Sequence, residues 1–183
     1  MNRLVIPLII VSIAFPVVAG IVNVEDNIGG LYELEEFDEG IKVFSDRDHI
    51  FKTVPEKFIG ATYIRCPVQS VRETPDVEIT VEVDTPSQVY ILWYTEDMWE
   101  AAKPSPPTEW LKDDYEMLDD IVIWGPDLGF NPWRSKTVFP VGEFKTFTTG
   151  NDCAYGIFVQ ESELSVEPLN KLPGLWSSVK SNE

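Results

Sequence analysis

Val77-Glu-Ile-Thr-Val-Glu-Val83, then Asp84-Thr-Pro-Ser87, then Gln88-Val-Tyr-Ile-Leu-Trp-Tyr94 is the stretch that decides the fold. In the first run Val77, Ile79, Val81 and Val83 alternate with Glu78, Thr80 and Glu82. That period of two predicts a strand with one face in a core and the other in water. Pro86 fixes φ and removes a backbone donor, which suits the turn. The second run is apolar on both faces and predicts a central strand covered on each side.

Working outward, Ile41–Phe44 and Ala61–Arg65 are extended, as are Ile121–Trp124, Thr137–Phe139, Glu143–Phe147 and Ala154–Gln160. About eight short strands, with fourteen prolines scattered between them, fit an all-β chain and exclude a helical bundle. The expected fold is an antiparallel β-sandwich, of jelly-roll or immunoglobulin-like type. One stretch, Thr108 to Leu118, has Trp110, Leu111, Tyr115 and Leu118 at helical spacing. It predicts one short helix inside the long connection from Thr95 to Asp120.

Asn2-Arg3 and an uncharged apolar run from Leu4 to Val18 precede Ala19-Gly20, the layout of a cleaved signal peptide. The run is shorter than the roughly 20 residues a spanning helix needs. Pro7 and Pro16 would also break such a helix. The expected organisation is a leader over 1–19, one sandwich domain over 20–162, and a less patterned tail over 163–183. The protein is therefore expected in the extracellular space, with no membrane span.

The chain holds 31 acidic residues against 14 basic ones, one of which, Arg3, lies in the leader. A net charge of −17 repels phosphate backbones, so nucleic acid is not an expected partner. Neutral glycans, cations and extracellular proteins are compatible. Cys66 and Cys153 are the only cysteines and, in an exported domain, are expected to pair. Closing that loop would remove denatured-state entropy of roughly 4 kcal/mol. Two buried free thiols are the alternative.

The block Phe44-Ser-Asp-Arg-Asp-His-Ile-Phe51, with Val54-Pro55 and Phe58-Ile-Gly-Ala-Thr-Tyr-Ile-Arg65, is more specific than any propensity. It resembles the opening of an extracellular β-sandwich module found beside glycoside hydrolases and polysaccharide lyases. Thr85-Pro86, Gln88-Val-Tyr90, Pro107-Thr-Glu-Trp110-Leu111 and Cys153-Ala-Tyr-Gly-Ile-Phe-Val159 continue the likeness. It departs at Trp93–Asp97, where those modules carry an arginine. The resemblance implies a sandwich and an accessory, sugar-related role.

The candidate chemistry is sparse. His49 is the sole histidine, so a histidine-clustered zinc site is excluded, and a serine or cysteine triad would need this one residue as its base. Any pair of acids satisfies glycoside hydrolysis on paper, so a small carbohydrate-active enzyme is the last alternative. Asp46 and Asp48, and Asp119 and Asp120, are weak candidates for structural calcium, with turn-capping and solvation as the simpler readings. No other cofactor is expected. Sugars lay apolar faces on flat rings, and Trp99, Trp110 and Trp133, with Arg134 alongside, fall in polar, proline-rich connections. They are the candidate ligand contacts, with plugs of the sandwich end as the competing reading. The expected function is a secreted, non-catalytic, carbohydrate-binding protein. The alternative is an extracellular matrix or interaction protein with acidic, calcium-binding loops.

Overall fold

The computed structural model describes residues 20–68, 74, 77–96, 106–147 and 156–162. The leader and the tail thus lie outside the described residues. The chain is an antiparallel β-sandwich built from β1 (Ile21–Asp26), β2 (Glu33–Glu36), β3 (Phe51–Thr53), β4 (Thr62–Arg65), β5 (Glu78–Val83), β6 (Ser87–Tyr94), β7 (Tyr115–Met117), β8 (Val122–Trp124), β9 (Leu128–Ser135), β10 (Gly142–Phe147) and β11 (Gly156–Glu161). One helix, α1 (Glu109–Asp114), and a single 3-10 turn over Glu56–Phe58 complete it. The small sheet has the order β1-β5-β10. The large one runs β2-β4-β11-β6-β9-β8-β3, with β7 pairing beside β8 on β9.

The alternation of β5 is realised as read. Val77, Ile79, Val81 and Val83 are buried, whereas Glu82 is exposed and Glu78 and Thr80 are half-buried. β6 is covered on both faces, and its alternate residues feed two separate cores. Val89, Ile91 and Trp93 join Ile157, Val159, Phe144 and the β5 valines between the sheets. Tyr90 and Leu92 join Phe158, Tyr63 and Phe130 on the other face, which Phe37, Phe44, Phe51, Val54 and Phe58 cover. The second core is rich in aromatic rings: Tyr90 stacks on Phe158 at 4.5 Å, and Phe37 stacks on Tyr63 at 5.1 Å. Offset and edge-on ring pairs of this kind add to the stabilisation from buried area.

Two departures from the sequence reading have physical causes. Asn131-Pro132-Trp133 is not a connection but the middle of β9. A proline survives in a central strand only where no ladder bond needs its N–H. The Pro132 carbonyl oxygen accepts from Leu118 N at 2.9 Å, on the side away from β6. The N–H side of Pro132 therefore faces the break between β8 and β7, where neither short strand pairs with it. The second departure is the strand total: besides β9, the strands β1, β2, β3 and β7 were not expected, while two expected strands are absent as such. β1 begins at Ile21, β2 is Glu-Leu-Glu-Glu, and β7 takes over from the helix at Tyr115. Thr137–Phe139 and Ile41–Phe44 contribute only isolated bridges, Ser87 to Phe139, Lys42 to Ile50 and Phe44 to Cys66.

Asp26 fixes the crossing from the small sheet to the large one. Its carboxylate accepts from the backbone N–H of Ile28 at 3.0 Å and of Gly30 at 2.9 Å, and from the Tyr32 hydroxyl at 2.5 Å. Burial by itself would raise its pKa, but the hydrogen bonds from Tyr32 and the backbone outweigh it and hold the carboxyl below its ordinary value. Such a depressed carboxyl stabilises the fold above its unfolded pKa and loses that effect as pH falls through the folded value. Asp26→Asn should therefore lower the melting temperature at neutral pH. The gap to the parent should close in strongly acidic buffer, as followed by circular dichroism. A gap independent of pH would exclude this role.

Gly156 opens β11 where no side chain fits. A Cβ there would lie 2.6 Å from the Tyr63 hydroxyl oxygen and 2.8 Å from Cε2 of its ring. Tyr63 cannot yield, because its hydroxyl donates to the Val43 carbonyl at 2.8 Å inside the aromatic core. Gly156→Ala should destabilise by about 1–3 kcal/mol, measured by urea unfolding.

Candidate functional site

β9 places alternate residues on opposite faces of the large sheet. Asn131 pairs with Trp93 and Trp133 with Ile91, facing the small sheet. Arg134 pairs with Tyr90 and points to the opposite face. There its guanidinium Nε donates to the Glu116 carboxylate at 2.9 Å, and Nη2 donates to the same oxygen. On the other side of β9, Met117 pairs with Trp133. The end of this face carries a groove of about 380 Å³, lined by Tyr94, Glu96, Pro107, Lys112, Met117, Asn131 and Trp133, with Pro106 beside them.

The groove has a rigid frame. Asn131 Nδ2 donates to the Asp120 carbonyl at 3.2 Å, while the Asp120 carboxylate holds Lys57 Nζ at 2.5 Å. α1 is anchored at its C-terminal end by Lys136, whose ammonium donates to the carbonyls of Lys112 (2.9 Å) and Asp113 (2.7 Å). A cation on the last carbonyls of a helix satisfies acceptors that have no partner inside the helix. Leu111 and Tyr115 bury α1 against the inter-sheet core. Burial, reinforced by the Asp114 charge, pushes the Tyr115 phenol well up, so it stays protonated.

Trp133 forms the floor of the groove and is only 9% exposed, whereas Met117 on the rim is 55% exposed. The chemistry available is that of a cradle lined by an indole, a thioether and two prolines, with an amide, a carboxylate and an ammonium among them. Such a mixture orients a polyhydroxylated ligand by hydrogen bonds over an apolar floor.

The sequence candidates do not converge. Trp133 lies in the groove and Arg134 on the opposite face of the same strand. Trp110 packs edge-on against Tyr115 at 5.9 Å and against Phe147 at 6.0 Å, beside the inter-sheet core. It is half-buried there and does not line the groove. Trp99 lies outside the described residues. Tyr94, Glu96, Lys112 and Met117 were not legible as site residues, because three separate segments, the end of β6, α1 and β7, bring them to Trp133 and no motif links them.

The acidic candidates are dispersed too. Asp46 Oδ1 accepts from the backbone N–H of Val68 at 2.9 Å, a strand-pinning role, and Asp48 pairs with Lys42 at 2.9 Å in full solvent. Asp119 and Asp120 sit beside the groove frame. Among the described residues no group of three or more metal-ligating side chains converges. A second groove, of about 360 Å³, is lined by Ile28, Gly29, Gly30, Leu31, Glu33, Ser45, Asp46 and Pro67, and offers no aromatic floor. His49 packs edge-on against Trp124 at 5.4 Å. Cys66 is a buried free thiol whose pKa burial pushes up to about 12, far from a nucleophile. Its expected partner, Cys153, lies outside the described residues.

No family model matches the sequence, and no curated protein matches it. Among solved structures the fold is similar to part of a β-glucuronidase from glycoside hydrolase family 2, with a TM-score of 0.60 and 18% identity. It is also similar to part of a family GH138 enzyme targeting pectin rhamnogalacturonan II, with a TM-score of 0.54 and 14% identity. The matches cover 75% and 80% of this chain but 14% and 16% of those enzymes. This likeness establishes a fold shared with domains of glycoside hydrolases.

Proposed function

We propose that this chain is a secreted, non-catalytic carbohydrate-binding protein whose ligand lies in the groove floored by Trp133. The observation that carries the reading is the groove itself, where an indole edge and Met117 sit among Asn131, Glu96 and Lys112. Sugars present an apolar ring face and a fringe of hydroxyls, and this lining answers both. The likeness to domains within two carbohydrate-active enzymes supports the same class of ligand. Export follows from the leader-like start, Asn2 to Ala19.

Met117 tests the site without touching the core, because its side chain is on the rim. Met117→Arg should fill the groove mouth and abolish signals on a glycan array, a loss of at least about tenfold. The melting temperature should stay within a degree or two of the parent, as is usual for surface substitutions. Undiminished glycan binding by a folded Met117→Arg protein would remove the groove from consideration. An array run with EDTA should give the same pattern as one without it.

A further inference from the structure

The charges around the groove are lopsided. Lys112 is the one cation in its lining, and Glu109 Oε1 lies 3.7 Å from its ammonium. The other cations nearby are engaged as well: Lys57 on Asp120, and Lys136 on two helix carbonyls. The acids are not matched in return. Among the described residues Glu96, in the lining, has no ion-pair partner, and neither do Asp113, Asp114 and Asp119 on the adjoining helix and loop.

From this balance we propose that the groove selects glycans bearing protonated amines, of the glucosamine type, over neutral N-acetylated chains and over uronic acids. The inference rests on the carbohydrate reading of the same groove. Glu96 lines the groove but is exposed, so its attraction for an ammonium in contact with it acts within the screening length of about 8 Å at physiological salt and weakens as salt rises. The apolar wall of Pro106, Pro107, Met117 and Trp133 lowers the local dielectric and strengthens that interaction. A ligand ammonium also relieves part of the self-repulsion of a chain of net charge −17. A uronate would bring a like charge against Glu96. An N-acetyl group would keep the ring contact and forgo the charge.

The test is calorimetry on the full chain with three hexamers, of glucosamine, N-acetylglucosamine and galacturonate, at mildly acidic pH and at low and high sodium chloride. The glucosamine hexamer should bind about tenfold more tightly than the N-acetylated one, with the advantage shrinking in high salt. Glu96→Gln should cut that preference to about threefold or less, by weakening binding of the glucosamine hexamer more than that of the N-acetylated one. Glu25→Gln, on the exposed face of β1 in the small sheet, should keep the full preference. Equal affinity for the two hexosamines, or tighter binding of galacturonate, would overturn the inference and leave the carbohydrate reading standing. So would an equal effect of Glu25→Gln, which would assign the preference to bulk charge. Failure of all three hexamers to bind would remove the carbohydrate reading itself.

Discussion

Everything in this molecule depends on β6 and its neighbour β11 being buried on both faces. A strand with one solvated face can end a sandwich, but a strand with none must sit inside it. Val89, Ile91 and Trp93 face the small sheet, while Tyr90 and Leu92 face the aromatic cover laid down by residues 37–58. Ile157 and Val159 repeat the division on β11, with Phe158 on the other side. The large sheet therefore separates two cores. Its far end, where β9 passes from β8 to β7, is held by both.

That arrangement also explains the position of the groove. β9 must carry a continuous strand across two short partners, and the break between them is where Pro132 fits. Asn131 and Trp133 flank the proline on the face toward the small sheet, beside the connection that α1 closes. The polar hub at the other end of β9 keeps the register. Ser135 Oγ accepts from Gln88 Nε2 at 2.6 Å and from Val89 N at 3.2 Å, and donates to the Thr137 carbonyl at 2.8 Å. Buried hydroxyls satisfied in this way fix a unique pairing.

Local pattern made the two-sided burial of β6 and the alternation of β5 legible, since both lie in runs of consecutive residues. The bond that Asp46 accepts from Val68, 22 residues away, was not legible, because the sequence offered only local turn-capping or calcium for that acid. Asn131-Pro132-Trp133 misled, since a proline in a central strand is tolerated only by a gap in pairing that sequence does not reveal. The groove was beyond reach for a related reason. Glu96 lies just past the end of β6, Lys112 rides on a short helix, Met117 sits in a three-residue strand, and Trp133 lies in β9. Their meeting is a product of long-range pairing. Asp26 shows the same limit at smaller scale: its three hydrogen bonds make the crossing between sheets, yet in sequence it is one acid among thirty-one acidic residues.

The central claim is that a sugar is received over the indole edge of Trp133. The most direct measurement is a nuclear magnetic resonance titration of the full chain with a glucosamine oligomer, following the indole N–H signals and the Asn131 side-chain amide. The account predicts that Trp133 and Asn131 shift together and saturate, while the buried Trp93 and Trp124 hold still. Saturable shifts confined to residues of the small sheet, with Trp133 and Asn131 unmoved, would contradict it.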